Sequence, residues 1–278
     1  MGIETFSNIN INPFQSYVSQ PKEIQHTQQS GVFTPNTRSY FTAVKPEHAQ
    51  INALNLKDDL LARILPHNFI AKYLNEGFIK KQIENNPKIA QILKEKGLDV
   101  NINFQNMLSI INSHLIPTTN YAKLIMENCK ISFSSEDYAT MAQAALLHDI
   151  GKILIPTEIL NKNQNLTQQE RSIIELHDTL GVELLKNTQL NKKILTLIGA
   201  HHNYDGNEDN STLTQILKIA DIYSALKENR AYKNPLNDET TFKILYEKAQ
   251  NGEFDKYLVD VLKQATTNPS TTQKLTIA

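Results

Sequence analysis

The chain is predicted to be all-α. Three observations carry that prediction. From Leu54 onward apolar residues recur at helical spacing, residues that cap helices stand where those stripes begin, and no segment alternates apolar and polar residues as a half-buried strand does. Of the 278 residues 40% are hydrophobic, enough for most of the chain to bury a core. Lys plus Arg is 28 and Asp plus Glu is 29, which excludes a globally basic nucleic-acid binder and gives no pull toward anionic membrane. No run approaches the ~20 apolar residues of a membrane-crossing helix. Met1–Gln20 lacks a basic segment followed by an apolar one. The expectation is a cytoplasmic protein that binds neither DNA, RNA nor membrane. The single cysteine, Cys129, excludes an internal disulfide and a cysteine-rich zinc site, and is expected to be a buried thiol.

Residues 1–50 differ from the rest. They contain no leucine, are rich in Asn, Gln, Ser and Thr, and hold no apolar period, so they cannot offset their ordering entropy. They are expected to form a disordered polar arm whose aromatic residues, such as Phe14 and Tyr40, could dock on a protein partner. Residues 51–103 are an accessory helical region, with stripes at Leu60, Leu61, Ile64 and Leu65 and at Phe69, Ile70, Tyr73, Leu74 and Phe78. Pro87 opens a short helix over 88–96 that Gly97 ends. Residues 103–115 and 118–129 are both helical, with Pro117 kinking or separating them. Ser134 or Ser135 caps a helix running to about His148, and Thr167 with Glu170 forms a capping box. Helical patterns continue at about 191–202, 212–228, 238–250 and 254–265, with Asn237 able to start the third. The tail from 266 is polar.

Of eight histidines, five fall between His114 and His202: His114, His148, His177, His201 and His202. Two carboxylates join them. Asp149 follows His148 in Leu146-Leu147-His148-Asp149-Ile150, and Asp221 interrupts the apolar run Ile219-Ala220-Asp221-Ile222. A buried carboxylate is costly unless a cation or metal meets it, so both positions argue for positive charge nearby. Imidazole with carboxylate and no thiolate suits Mn, Fe, Zn or Ni rather than Ca. Seven ligands exceed the needs of one ion. Neighbouring helical residues such as His201 and His202 point about 100° apart and reach one pocket more easily than one ion. The natural count is two ions about 3.5–4 Å apart.

These residues resemble a known family. Ala145-Leu146-Leu147-His148-Asp149-Ile150-Gly151-Lys152 is similar to the signature of the HD-domain metal-dependent phosphohydrolases. The order His114, His148-Asp149, His177, His201-His202, Asp221 resembles the HD-GYP branch, whose members hydrolyse cyclic di-GMP. Ile153–Lys162, Leu166-Thr167 leading to Gly181, and Ile219–Leu226 with Arg230–Lys233 also resemble family segments. The resemblance implies an HD-domain helical bundle over 104–265 and a two-metal phosphodiesterase in which a hydroxide held between two divalent ions, Fe or Mn before Zn or Ni, attacks phosphorus. It implies His114, His148 and Asp221 on one ion, His177, His201 and His202 on the other, and Asp149 bridging. Only the histidine of His177-Asp178 is carried over. Lys152, Arg230 and Lys233 would contact substrate phosphate.

Four departures stand beside the resemblance. The Gly-Tyr-Pro motif is absent: after His202 the chain reads Asn203-Tyr204-Asp205-Gly206, and the loop to Asp221 is short. Ile110 stands where some members carry a glutamate ligand, which implies two ions rather than three. Ser224 replaces a frequent aspartate, and Pro117 follows His114 closely. The substrate is expected to be a cyclic dinucleotide. The alternatives are an HD hydrolase acting on another nucleotide or phosphate ester, and a non-catalytic binding module.

Overall fold

A computed structural model describes residues 69–202, 209–228 and 234–267. Expectations for the polar arm, the Leu60–Leu65 stripe, Asp205, Arg230, Lys233 and the chain beyond 267 lie outside the described residues. Within them every regular element is helical and no strand occurs. No described helix is long and apolar enough to cross a membrane.

The Phe69–Phe78 stripe is divided between α1 (Phe69–Tyr73) and α2 (Glu76–Glu84). Asn75 makes the break: its side chain accepts from the Phe78 amide at 2.8 Å and caps α2. Pro87 is the first residue of α3 (Pro87–Glu95), Asn86 caps it, and Gly97 takes φ 72° just beyond its end. The two helices expected around Pro117 form one continuous path. α4 (Phe104–Ile110) passes through a π-turn, Ile111–Leu115, into α5 (Ile116–Asn128). Pro117 has no amide proton for Ser113 and its ring crowds that carbonyl. The backbone widens instead, and the Ile116 amide donates to Ile111 O.

Ser134 and Asp137 form a capping box at the start of α6 (Ser135–Leu147), with His148 directly after it. A 3₁₀ turn, Ile150–Leu154, leads to α7 (Thr157–Leu160). Thr167 and Glu170 form the expected capping box on α8 (Gln168–Ile174). Through Glu175 the chain continues into α9 (Leu176–Leu185), then α10 (Lys192–Ala200). The last three helices are α11 (Thr212–Lys227), α12 (Asp238–Gln250, capped by Asn237) and α13 (Lys256–Thr267). The last therefore runs past the expected end at 265, and the Thr266 hydroxyl donates to Leu262 O at 2.9 Å. Cys129 is only half-buried, because it ends α5 at the rim of the core.

α5 packs against α6, α11 and α13, while α9 packs against the 3₁₀ turn and α10. Ile125, Leu147, Leu184, Leu197, Ile216 and Leu245 fill the space between them, all fully buried. The accessory helices are tied to this core through Glu183 of α9. Asn86 Nδ2 donates to its backbone oxygen at 3.0 Å and its carboxylate at 2.8 Å, and Lys88 pairs with it at 2.8 Å.

The closest packing is at Gly151. A Cβ there would overlap the His177 carbonyl oxygen and stand 2.7 Å from Gly181 N. Both are backbone atoms of α9 and cannot swing aside, so only glycine lets the 3₁₀ turn reach that helix. Asn106 of α4 holds the turn from the other side, donating to the carbonyls of Lys152 and Ile155 at 3.2 Å each. Gly151→Ala is therefore expected to cost about 3 kcal/mol or more, against about 1 kcal/mol for removing the α6 cap in Ser134→Ala. Urea unfolding of the two variants measures the difference, and equal costs would disprove the backbone constraint.

Candidate metal centre

Three imidazoles are held in one way. Nδ1 of His148 lies 2.8 Å from Ala145 O, that of His177 lies 2.7 Å from Ile174 O, and that of His201 lies 2.6 Å from Ile198 O. A carbonyl can only accept, so each Nδ1 carries the proton. Each Nε2 then turns inward, a lone pair when the ring is neutral. His114 arrives on the π-turn, whose carbonyl at that residue accepts from the Ser224 hydroxyl at 3.3 Å. The serine found in place of the family's aspartate thus braces the turn that carries His114. Ile110, at the position where some members of the resembled family carry a glutamate, is fully buried among apolar side chains.

The ligand atoms divide into two groups across Asp149. Its Oδ2 faces His148 Nε2 at 3.4 Å and His114 Nε2 at 3.6 Å. Its Oδ1 faces His177 Nε2 at 3.3 Å and His201 Nε2 at 4.0 Å. Asp221 stands with the first group, with Oδ1 at 2.9 Å from His114 Nε2 and 3.6 Å from His148 Nε2. His202, partly exposed, lies near the second group and also approaches Asp221 Oδ2 at 3.7 Å. The seven residues expected from sequence therefore meet in one pocket.

Lys152 meets them there too. Its side chain is buried, and its Nζ donates to Asp149 Oδ2 at 2.7 Å. Asp178 was passed over and is present. It is 1% exposed, with Oδ1 at 2.9 Å from His177 Nε2 and 3.6 Å from His201 Nε2. The signal was the one used for Asp221, a carboxylate inside an apolar run: Ile173 and Ile174 precede it, and Leu180, Leu184 and Leu185 follow.

The electrostatics are those of a site built for positive charge. Burial opposes ionisation of Asp149 and Asp221, yet His148 and Lys152 around the first, and His114 and His148 around the second, hold both well below the usual carboxylate range. Burial likewise opposes ionised Asp178, and His201, His177 and His202 outweigh it, holding it at about 2. Burial disfavours imidazolium at His148, but Asp149 and Asp221 lift it to about 10; at His177 the lift, chiefly from Asp178, is to about 9. At His201 burial, assisted by His148 and His177, prevails and lowers the pKa to about 4. Burial, assisted by His201, also holds His202 well below the usual imidazole range.

The buried Nε2 of His148 and both oxygens of Asp178 make no hydrogen bond among the described residues, while His177 and His201 bring their Nε2 atoms within 3.3 Å of each other. With the rings neutral, Nε2 atoms converging in this way suit a cation, which would take the place of the protons on His148 and His177. The donor set fits divalent metal, with carboxylate and imidazole and no thiolate. Residues 103–258 match the HD domain family. This chain belongs to the HD-domain family. Over 145 residues, 48% of the chain, it is 32% identical to the cyclic di-GMP phosphodiesterase response regulator RpfG of Xanthomonas campestris pv. campestris. Over 131 residues, 43% of the chain, it is 35% identical to 3'3'-cGAMP-specific phosphodiesterase 2 of Vibrio cholerae. The chain spans 38% and 25% of those relatives' own lengths. The crystal structure of the L. monocytogenes phosphodiesterase PgpH HD domain superposes with a TM-score of 0.45 at 19% identity, over 73% of this chain and 100% of that one.

For this HD domain, Mn(II) at about a thousand times its Kd is expected to raise the unfolding free energy by about 4 kcal/mol through linkage. Chelator should reverse the gain, and Asp149→Ala should abolish it. Thermal unfolding with and without Mn(II) checks this, and an unshifted wild-type transition would contradict the assignment of the pocket as a metal centre.

Proposed function

We propose that this HD domain is a two-metal phosphohydrolase that cleaves a phosphodiester, with a cyclic dinucleotide such as cyclic di-GMP as substrate. His114, His148 and Asp221 would hold one ion, and His177, His201 and His202 the other. Fe or Mn is assigned first, Zn or Ni next. The observation that carries the reading is Asp149, whose two oxygens face separate imidazole groups, the arrangement a carboxylate shared between two ions requires. The names of the relatives support the substrate class. Residues 104–267 are assigned as the catalytic unit, extended from the expected 265 to the end of α13, 51–103 as an accessory helical region, 1–50 as a polar arm available to a protein partner and the rest as a tail. The cytoplasm is the assigned compartment.

Bound ions would supply Lewis-acid charge to a phosphoryl group and acidify water beside it. The chain's residues prepare that chemistry. Carbonyl bonds to Nδ1 fix three ring orientations in advance, so none is reorganised during reaction. Lys152 donates to Asp149 Oδ2 and fixes the carboxylate between the two groups. We therefore assign Lys152 to positioning and charge compensation, and keep Arg230 and Lys233 as the residues for substrate phosphate.

The reading is tested by anaerobic turnover of cyclic di-GMP and 3'3'-cGAMP with Mn(II) or Fe(II), following products by chromatography. Asp149→Ala is expected to lose at least about 10²-fold in rate, together with its bound metal. Failure of the two-ion protein to turn over either compound would move the substrate to another phosphate ester. Lys152→Gln separates its two possible roles. Loss of positioning should lower kcat by about 10²-fold with KM little changed, whereas a direct phosphate contact would show as a raised KM.

A further inference from the structure

On the two-ion reading as expected from sequence, the ions are unequal. One has a carboxylate of its own, Asp221, while the other has three imidazoles and only a share of Asp149. We infer that Asp178 is a ligand of the second ion, so that each ion holds one private carboxylate and both share Asp149. This rests on the proposed metal centre and extends it to a residue outside the expected set.

Four observations support the assignment. Asp178 is 1% exposed, so water does not solvate its charge. Neither of its oxygens accepts a hydrogen bond among the described residues. Oδ1 lies 2.9 Å from His177 Nε2 and 3.6 Å from His201 Nε2, and with His202 these ligand atoms all fall within 4.8 Å of one another. Its place in the helix excludes a capping role. Asp178 is the third residue of α9, but Glu175 before that helix has helical φ and ψ and also closes α8. An acidic side chain there has no free helix start to cap, and the oxygens point into the imidazole cluster instead. A carboxylate oxygen is a harder donor than imidazole, so the second site becomes better matched to Mn(II) or Fe than a purely imidazole site is.

The test counts ions. Wild type, Asp178→Asn and Asp178→Cys are loaded with Mn(II) or Co(II), freed of excess metal and analysed by elemental mass spectrometry, with thermal unfolding before and after chelation. Wild type is expected to hold two ions per chain. Asp178→Asn should bind the second Mn(II) at least about tenfold more weakly and retain one ion after desalting. After chelation it should melt no lower than wild type, since the substitution removes a buried charge. Co(II)-loaded Asp178→Cys should show a thiolate-to-cobalt charge-transfer band absent from Co(II)-loaded wild type. Two ions held at wild-type affinity by Asp178→Asn would overturn the inference and leave the two-ion reading standing, as would Co(II)-loaded Asp178→Cys without the band. A wild type that binds no ion would overturn both.

Discussion

Asp149, Asp178 and Asp221 are all buried around one cluster of imidazoles. Removing even one carboxylate from water costs several kcal/mol after relaxation. Three side by side would repel one another as well. The helices are arranged so that every carboxylate meets compensating groups. Lys152 stands against Asp149, His114 against Asp221, and His177 against Asp178. Such a cluster contributes little to stability by itself. Its energetic support is the apolar core on either side, where α5, α6, α9, α10 and α11 contribute fully buried Leu and Ile side chains.

The scaffold serves the site through its helix ends. The last carbonyls of a helix have no partner within it. Ala145, Ile174 and Ile198 lie in the last turns of α6, α8 and α10, and theirs are the oxygens that accept from the three Nδ1–H groups. One bond thus satisfies an orphan carbonyl, fixes a tautomer and aims Nε2. The negative ends of the three helix dipoles also gather at the pocket and favour cations there. Gly151 closes the arrangement by letting the turn after Asp149 lie on the α9 backbone, which brings Asp149 Oδ1 to His177.

Local physics made much of this legible. Caps such as Ser134, Thr167 and Asn237 act within three residues, and so do the apolar stripes, so helix positions follow from short windows. The clustered histidines were legible through their order and through carboxylates set in apolar runs. Other features depend on packing between distant segments. Pro117 marked a disturbance, but whether the chain breaks or widens depends on α5 having to pack against α6 and α11 while presenting His114. Lys152 was expected on substrate phosphate, and its approach to Asp149 depends on the 3₁₀ turn that Asn106 holds. The apolar residues around His177-Asp178 mark a buried carboxylate, but its partners are decided only when α10 brings His201 beside it.

The charge of the pocket connects these points to substrate choice. With neutral imidazoles, the three carboxylates and Lys152 leave two negative charges. Two divalent ions, on the proposed reading, would turn that into two positive charges. A cyclic dinucleotide carries two phosphodiesters and thus two negative charges, opposite in sign to such a pocket. Without Asp178 the same pocket would hold one positive charge more. In a site with little water an unbalanced charge acts at low effective dielectric and costs more than it does at the surface. A third carboxylate therefore lowers the charge that two clustered cations would otherwise leave unbalanced, which gives a physical reason for an acidic side chain at a position where burial alone would disfavour one.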